Sequence, residues 1–322
     1  KADSIKVDIT VPNQYNGYQL MAVSNGLLLE TETIEDNRRI FKWAHNYPIV
    51  PYYVMVAVSN YQEISQTYTN IESGHSFPLK YYTAPFLVSD VTTAVSIMPG
   101  ALEAFIHYFG EYPFKDEMYG MTHIGYADAA IETQTNAIMG GLTSEWRETM
   151  VHELSHLWFA NSITNETWQH IWLNEGFATY AEALYYRYTG NSSHNDEAAY
   201  LSHLKSKSYR FESTRTLYRE DDSDFTSLFQ YFYYHKGAWL LHMLRGYINN
   251  DPLFFDILKS YAQDAQFKYG HSDSETFRDY IEGKTDMDFE TFFDQWLYDI
   301  SYPNYQYNFL QAEGLTGVTL RQ

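Results

Sequence analysis

Met150-Val151-His152-Glu153-Leu154-Ser155-His156-Leu157-Trp158 is the stretch on which the rest of the chain turns. Trp146, Met150, Leu154 and Trp158 recur every fourth residue, which is a helical period. His152 and His156 are also four apart, so both imidazoles leave the helix on one face and can point at one ion. Glu153 stands about a third of a turn away, where it reaches a metal-bound water more easily than the metal. A chance H-E-x-x-H string on a surface helix would have polar neighbours. Here the flanking residues are apolar, so the helix is expected to be buried, and buried imidazoles and a carboxylate need a partner. A divalent cation, zinc for this ligand type, supplies one.

A third ligand is expected further on. Trp172-Leu173-Asn174-Glu175-Gly176 opens a second apolar stripe made by Leu173, Phe177, Tyr180, Ala181, Leu184 and Tyr188 and stopped by Gly190. An 18-residue spacer separates His156 from Glu175, enough to fold the two helices antiparallel and bring Glu175 to the same ion. Two imidazoles and one carboxylate leave a fourth position open, the arrangement of a catalytic rather than a structural zinc. Glu182 shares a face with Glu175 and is expected to orient His156 from behind. His170, His203, His242 and His271 lack ligand spacing and read as surface or packing residues.

Outward from this centre, the chain begins with strands. Ile5, Val7, Ile9 and Val11 alternate and end at Pro12. Asn16-Gly17 and Asn25-Gly26 predict two hairpin turns, the second between strands at 20–23 and 27–29. Phe41 and Trp43, then Tyr53, Met55 and Ala57, continue the pattern, so residues 1 to about 85 read as antiparallel sheet. Pro99-Gly100 opens a helix whose face carries Leu102, Phe105, Ile106 and Phe109 and which Gly110 closes. A short strand is expected from Met118 to Tyr126. The chain is then mostly helical from Ser144, with further stripes at Leu240 to Ile248 and Phe289 to Leu297. Helical period is lost after Pro303, where another sheet begins. The class is therefore α+β.

Composition narrows the partners. The 322 residues carry 21 Lys+Arg against 41 Asp+Glu, a formal charge of −20, which disfavours phosphate backbones and anionic lipid. With no cysteine there is neither a thiol nucleophile nor a cysteine metal site. No run of about 18 apolar residues occurs, so no transmembrane helix is expected. Neither compartment nor assembly state can be read from these features. Lys1, with no leader after it, is read as the start of a processed chain or an excised piece.

His152-Glu153-x-x-His156, the spacer and Asn174-Glu175 resemble the gluzincin aminopeptidases. Tyr234-His235-Lys236-Gly237 is similar to that family's Y-x-K-G segment. Ala129-Ala130-Ile131-Glu132-Thr133 sits where the family carries G-x-M-E-N, and Ser24-Asn25-Gly26 resembles the end of its first β domain. The resemblance implies one Zn2+ ion held by His152, His156 and Glu175, with Glu153 as the general base. It also implies Tyr234 as donor to the oxyanion and Glu132 as binder of the free α-ammonium of a peptide or small aminoacyl substrate. Tyr231 and Tyr233 compete for the Tyr234 role, which only Lys236-Gly237 singles out. Ala129 and Thr133 depart from the family's Gly and Asn, which weakens the amine assignment. Same-fold endopeptidases, non-peptide hydrolases and catalytically silent zinc-binding domains remain alternatives. The resemblance further implies that residues 1–85 are the C-terminal part of an N-terminal β-sandwich domain. Residues 86–300 would form a thermolysin-like, mostly helical catalytic domain with a small mixed sheet, and 301–322 the start of a truncated following segment.

Overall fold

The computed structural model describes residues 1–125, 129–208, 215–221, 223, 228–300, 306–312 and 315–321. The alternating residues at the start form β1 (Ile5–Pro12), which pairs antiparallel with β6 (Arg38–His45) so that Val7 faces Trp43 and Ile9 faces Phe41. β5 (Leu27–Ile34) completes a sheet in the order β1-β6-β5. Asn16 and Gly17 make the expected tight turn between β2 (Gln14–Tyr15) and β3 (Tyr18–Gln19), both at positive φ.

Asn25-Gly26 does not close a hairpin. The strand before it, β4 (Met21–Ser24), pairs with β7 (Val56–Ser59), whereas β5 pairs with β6. Long-range bonds override the local turn preference. Asn25 Nδ2 donates to Tyr53 O at 2.9 Å and Gln134 O at 2.6 Å, and Asn25 Oδ1 accepts from Met55 N at 2.8 Å. Gly26 has φ 75°, and a Cβ there would come within 2.1 Å of Ala44 O. The dipeptide is a corner between two sheets.

A five-stranded sheet comes next, in the order β11-β12-β10-β9-β8. Its members are β8 (Gln62–Thr69), β9 (Ser76–Thr83), β10 (Tyr119–His123), β11 (Ala130–Ile131) and β12 (Asn136–Met139). Central β10 runs parallel to β9 and β12, while β8 and β11 lie antiparallel on the edges. Tyr126, the predicted end of that strand, lies outside the described residues. The two β regions share a core in which Trp43 meets Tyr82 edge-to-face, with ring centroids 6.4 Å apart.

The helical body begins with α1 (Val88–Ala94) and α2 (Met98–Phe109), the latter ended by Gly110 at φ 81°. On length and composition alone Pro85–Phe109, mean hydropathy 1.3, is a candidate membrane span, although its apolar residues do not form one unbroken run. It is broken by a short 3-10 turn, and Ala101, Leu102, Phe105 and Phe109 are buried in the core. Helix α4 (Trp172–Thr189) is the central helix, packed by α2, α3 (Arg147–Ser155), α5 (Glu197–Lys207) and α6 (Tyr231–Ile248), while α7 (Asp251–Gln263) packs on α2 and α6. The strands β13 (Thr164–Asn165) and β14 (His271–Ser272) pair beside them, followed by α8 (Ser274–Thr285) and α9 (Glu290–Phe293). A hairpin of β15 (Gln306–Ala312) and β16 (Leu315–Arg321) ends the described chain.

The contact between α4 and α6 places Glu175 and Tyr234 relative to each other. A Cβ on Gly237 would lie 2.7 Å from Gly176 Cα, and one on Gly176 would lie 2.8 Å from Gly237 Cα. The two backbones therefore touch, one residue after Glu175 and three after Tyr234. Gly237→Ala is expected to cost about 1–3 kcal/mol through overpacking and to lower the melting temperature by several degrees. An unshifted midpoint would mean the helices do not meet there.

Candidate metal centre and active site

Helix α3 is buried along most of its length, and this is why its polar residues must find partners. Met150, Val151, Leu154, Leu157 and Trp158 are buried, and so are His152, Glu153 and His156. The two imidazole rings lie 4.7 Å apart between centroids. Helix α4 runs back along α3 and brings Glu175 Oε2 to 3.3 Å from His152 Nε2 and 3.3 Å from His156 Nε2. The other ring nitrogens are already committed. His152 Nδ1 donates to Glu182 Oε1 at 2.7 Å, and His156 Nδ1 donates to Phe159 O at 3.1 Å.

Both Nε2 atoms and the carboxylate thus converge, all within 4.8 Å of one another. Burial opposes charge on His152, yet its bonds to Glu175 and Glu182 hold it protonated well above the ordinary imidazole range. Burial likewise opposes charge on His156, which Glu132 and Glu175 nonetheless push up to about 9. Burial would raise Glu175, but His156 and His152 bring it down to about 2. Such a group is stable only around positive charge, supplied by protons or by a cation. Two imidazoles and a carboxylate are the donor set of a catalytic zinc with an open position, so these residues fit that ion.

Glu153 stands beside these three side chains. It is 5% exposed, and its Oε2 has no hydrogen-bond partner among the described residues. Burial pushes its carboxyl up to about 8. A buried, unpartnered carboxylate oxygen at this place is suited to exchanging a proton with whatever enters the site.

Glu182 reaches His152, not His156 as expected. Seven residues carry it about 10 Å along α4, back past the first histidine of α3. His156 is oriented instead by the turn after its helix, where Ala160 takes φ 149° and Asn161 N donates to His156 O at 2.9 Å. His203 is also more than a packing residue. It donates to Glu182 Oε2 at 2.8 Å, and Lys207 Nζ lies 2.9 Å from the same oxygen while bridging to Glu148. The helical spacing of His203 and Lys207 was the available signal. His170 and His242 bond Ser274 and Tyr200 respectively, as packing residues do.

Tyr234, in the first turn of α6, stacks on His152 with ring centroids 5.7 Å apart and planes at 17°. Burial and the carboxylates of Glu175, Glu132 and Glu153 hold its phenol well above the usual value, so the hydroxyl keeps its proton as a donor. Tyr231 is 60% exposed, and Tyr233 is buried against Phe232. Glu132 follows β11, and one of its carboxylate oxygens lies within 4.8 Å of ligand atoms of Glu153 and His156. Tyr53, expected in a strand, instead ends a 3-10 turn begun by Pro51 and donates its hydroxyl to Glu132 Oε1 at 3.1 Å. A cavity of about 370 Å3 opens beside His152, lined also by Ala129, Glu182, Lys207, Tyr231 and Tyr234. Of the residues that converge here, His152 and Tyr234 reach the wall of this cavity.

The Peptidase family M1 domain matches residues 117–296, more than half of the chain, and the chain belongs to peptidase family M1. Among its relatives, glutamyl aminopeptidase of Mus musculus is 23% identical over 94% of this chain and 32% of its own length. Aminopeptidase N of Streptomyces lividans is 24% identical over 84% of this chain and 33% of its own. The chain therefore spans about a third of the length of these relatives. The crystal structure of an M1 zinc metallopeptidase from Deinococcus radiodurans superposes with a TM-score of 0.79 at 22% identity, covering 94% of this chain and 64% of that one. Legionella pneumophila aminopeptidase A, solved with aspartic acid, gives 0.79 at 20% identity, over 95% and 35%. The mixed α+β fold is that of these M1 structures.

Proposed function

We propose that this chain carries the catalytic site of a zinc aminopeptidase, with residues 86–300 as a thermolysin-like catalytic domain. In this reading residues 1–85 are the last part of a preceding β domain, and 301–322 open a following segment. The observation that carries it is the convergence of His152 Nε2, His156 Nε2 and Glu175 Oε2 beside the unpartnered Glu153 Oε2. Family membership and the names of the relatives point the same way.

His152, His156 and Glu175 would hold one Zn2+ ion, which when bound supplies Lewis acidity toward water and a peptide carbonyl. Glu153 takes a proton from the attacking water at its free Oε2 and returns it to the leaving amine. The Tyr234 hydroxyl donates to the oxyanion as it develops. Such a donor contributes roughly 3 kcal/mol, so Tyr234→Phe is expected to lower kcat about 100-fold with KM little changed. An unaltered kcat would return that residue to the core. Glu132 binds the ammonium of the first residue, so that the first peptide bond meets Glu153.

An aminoacyl anilide and its N-acetylated form test the reading. The free amine should be hydrolysed and the blocked form refused. Equal turnover of both would favour an endopeptidase or a hydrolase of other bonds. Turnover of neither, with zinc bound, would leave a zinc-binding domain without catalysis.

A further inference from the structure

The segment bearing Glu132 is held by residues that lie some 80 to 110 positions earlier in the chain. Asn25 Nδ2 donates to Gln134 O, Gly26 N donates to Thr135 Oγ1 at 2.8 Å, and Asn136 Nδ2 donates to Ser24 O at 3.2 Å. Gln134 Nε2 donates to Pro48 O at 2.9 Å and to His45 Nε2 at 2.6 Å. The other nitrogen of His45 donates to Glu117, which leaves Nε2 as the acceptor. These bonds fix the backbone of the segment. The contact from Tyr53 reaches the Glu132 carboxylate itself.

Tyr53 cannot follow a moving glutamate. Its ring is 2% exposed, and it ends a 3-10 turn, Pro51–Tyr53, begun by a proline. Its carbonyl accepts from Asn25, its ring meets Tyr52 at 4.5 Å, and Tyr52 meets Trp168 at 5.0 Å. The hydroxyl is therefore a stationary donor. A glutamate has three rotatable bonds, and ordering it on substrate arrival costs side-chain entropy. A donor already bound to one oxygen removes most of that cost. A phenol also suits the task better than a lysine would, because it orients the carboxylate without cancelling the charge an ammonium must meet.

We propose that Tyr53 is a positioning residue for recognition of the substrate amine. It holds Glu132 through Oε1 and leaves the second carboxylate oxygen to the ammonium. This inference rests on the aminopeptidase reading and adds to it a residue from outside the family M1 match at 117–296.

The test is Tyr53→Phe in the zinc-loaded protein, alone and combined with Glu132→Gln, on the free and acetylated anilide pair. Loss of a hydrogen bond to a charged group should raise KM for the free amine about tenfold, with kcat, zinc content and melting temperature close to those of the unaltered protein. In the Glu132→Gln background the same change should have little further effect on KM, since both substitutions act on one contact. An unchanged KM, or an equal KM increase in both backgrounds, would overturn the inference even if the unaltered protein discriminates between the anilides. If the unaltered protein cleaves both anilides equally, the aminopeptidase reading fails and the role of Tyr53 fails with it.

Discussion

Replacing Glu153 by glutamine is expected to lower turnover by about 10²–10⁴-fold while the protein stays folded and still takes up its metal. The amide matches the carboxylate in size, so the packing around this buried residue is retained. It cannot accept a proton as a carboxylate does, and that is the function assigned to the unpartnered Oε2. Removing the carboxylate also removes a buried group whose charged form is disfavoured by burial, so stability should hold or rise slightly. Turnover is measured with the free-amine anilide, zinc by elemental analysis and folding by thermal melting. A variant that binds zinc and turns over normally would remove Glu153 from the chemistry.

Glu175→Gln should have the largest effect on the metal itself. Loss of a partner that only orients a ligand typically lowers affinity about 10–100-fold. Loss of the ligand charge should exceed that, and zinc should be absent after dialysis against a weak chelator. Uptake by the unaltered protein should depend on pH in a definite direction. His152 is held protonated well above the usual imidazole range and His156 up to about 9. A cation must displace those protons, so affinity should rise as pH increases toward about 9 and weaken as it falls. In Glu175→Gln the carboxylate that raises both rings is gone, and the dependence should shift to lower pH. Metal uptake by titration at several pH values reads both effects.

The parts of this site that lie on one helix were legible from sequence. His152 and His156 announce themselves because a four-residue step fixes their common face whatever surrounds it. Glu175 could be found because its helix comes after a short spacer. Spacing along α4 says nothing of where that helix crosses α3, so it does not show that the bond of Glu182 runs to His152 rather than His156. The role of His203 is hidden from the sequence because its partner is 21 residues away on another helix. Asn25-Gly26 carries a strong hairpin signal, but bonds to Tyr53, Met55 and Gln134 outweigh it. Tyr53 itself lies 79 residues from Glu132, beyond any periodicity.

X-ray absorption at the zinc edge on the zinc-loaded protein, with the stoichiometry measured alongside, tests the metal centre most directly. The expected result is one zinc per chain, with two imidazole nitrogens, a carboxylate oxygen and a further light-atom ligand that exchanges with solvent. Substoichiometric binding, or a shell of four protein ligands that leaves nothing to exchange, would contradict it.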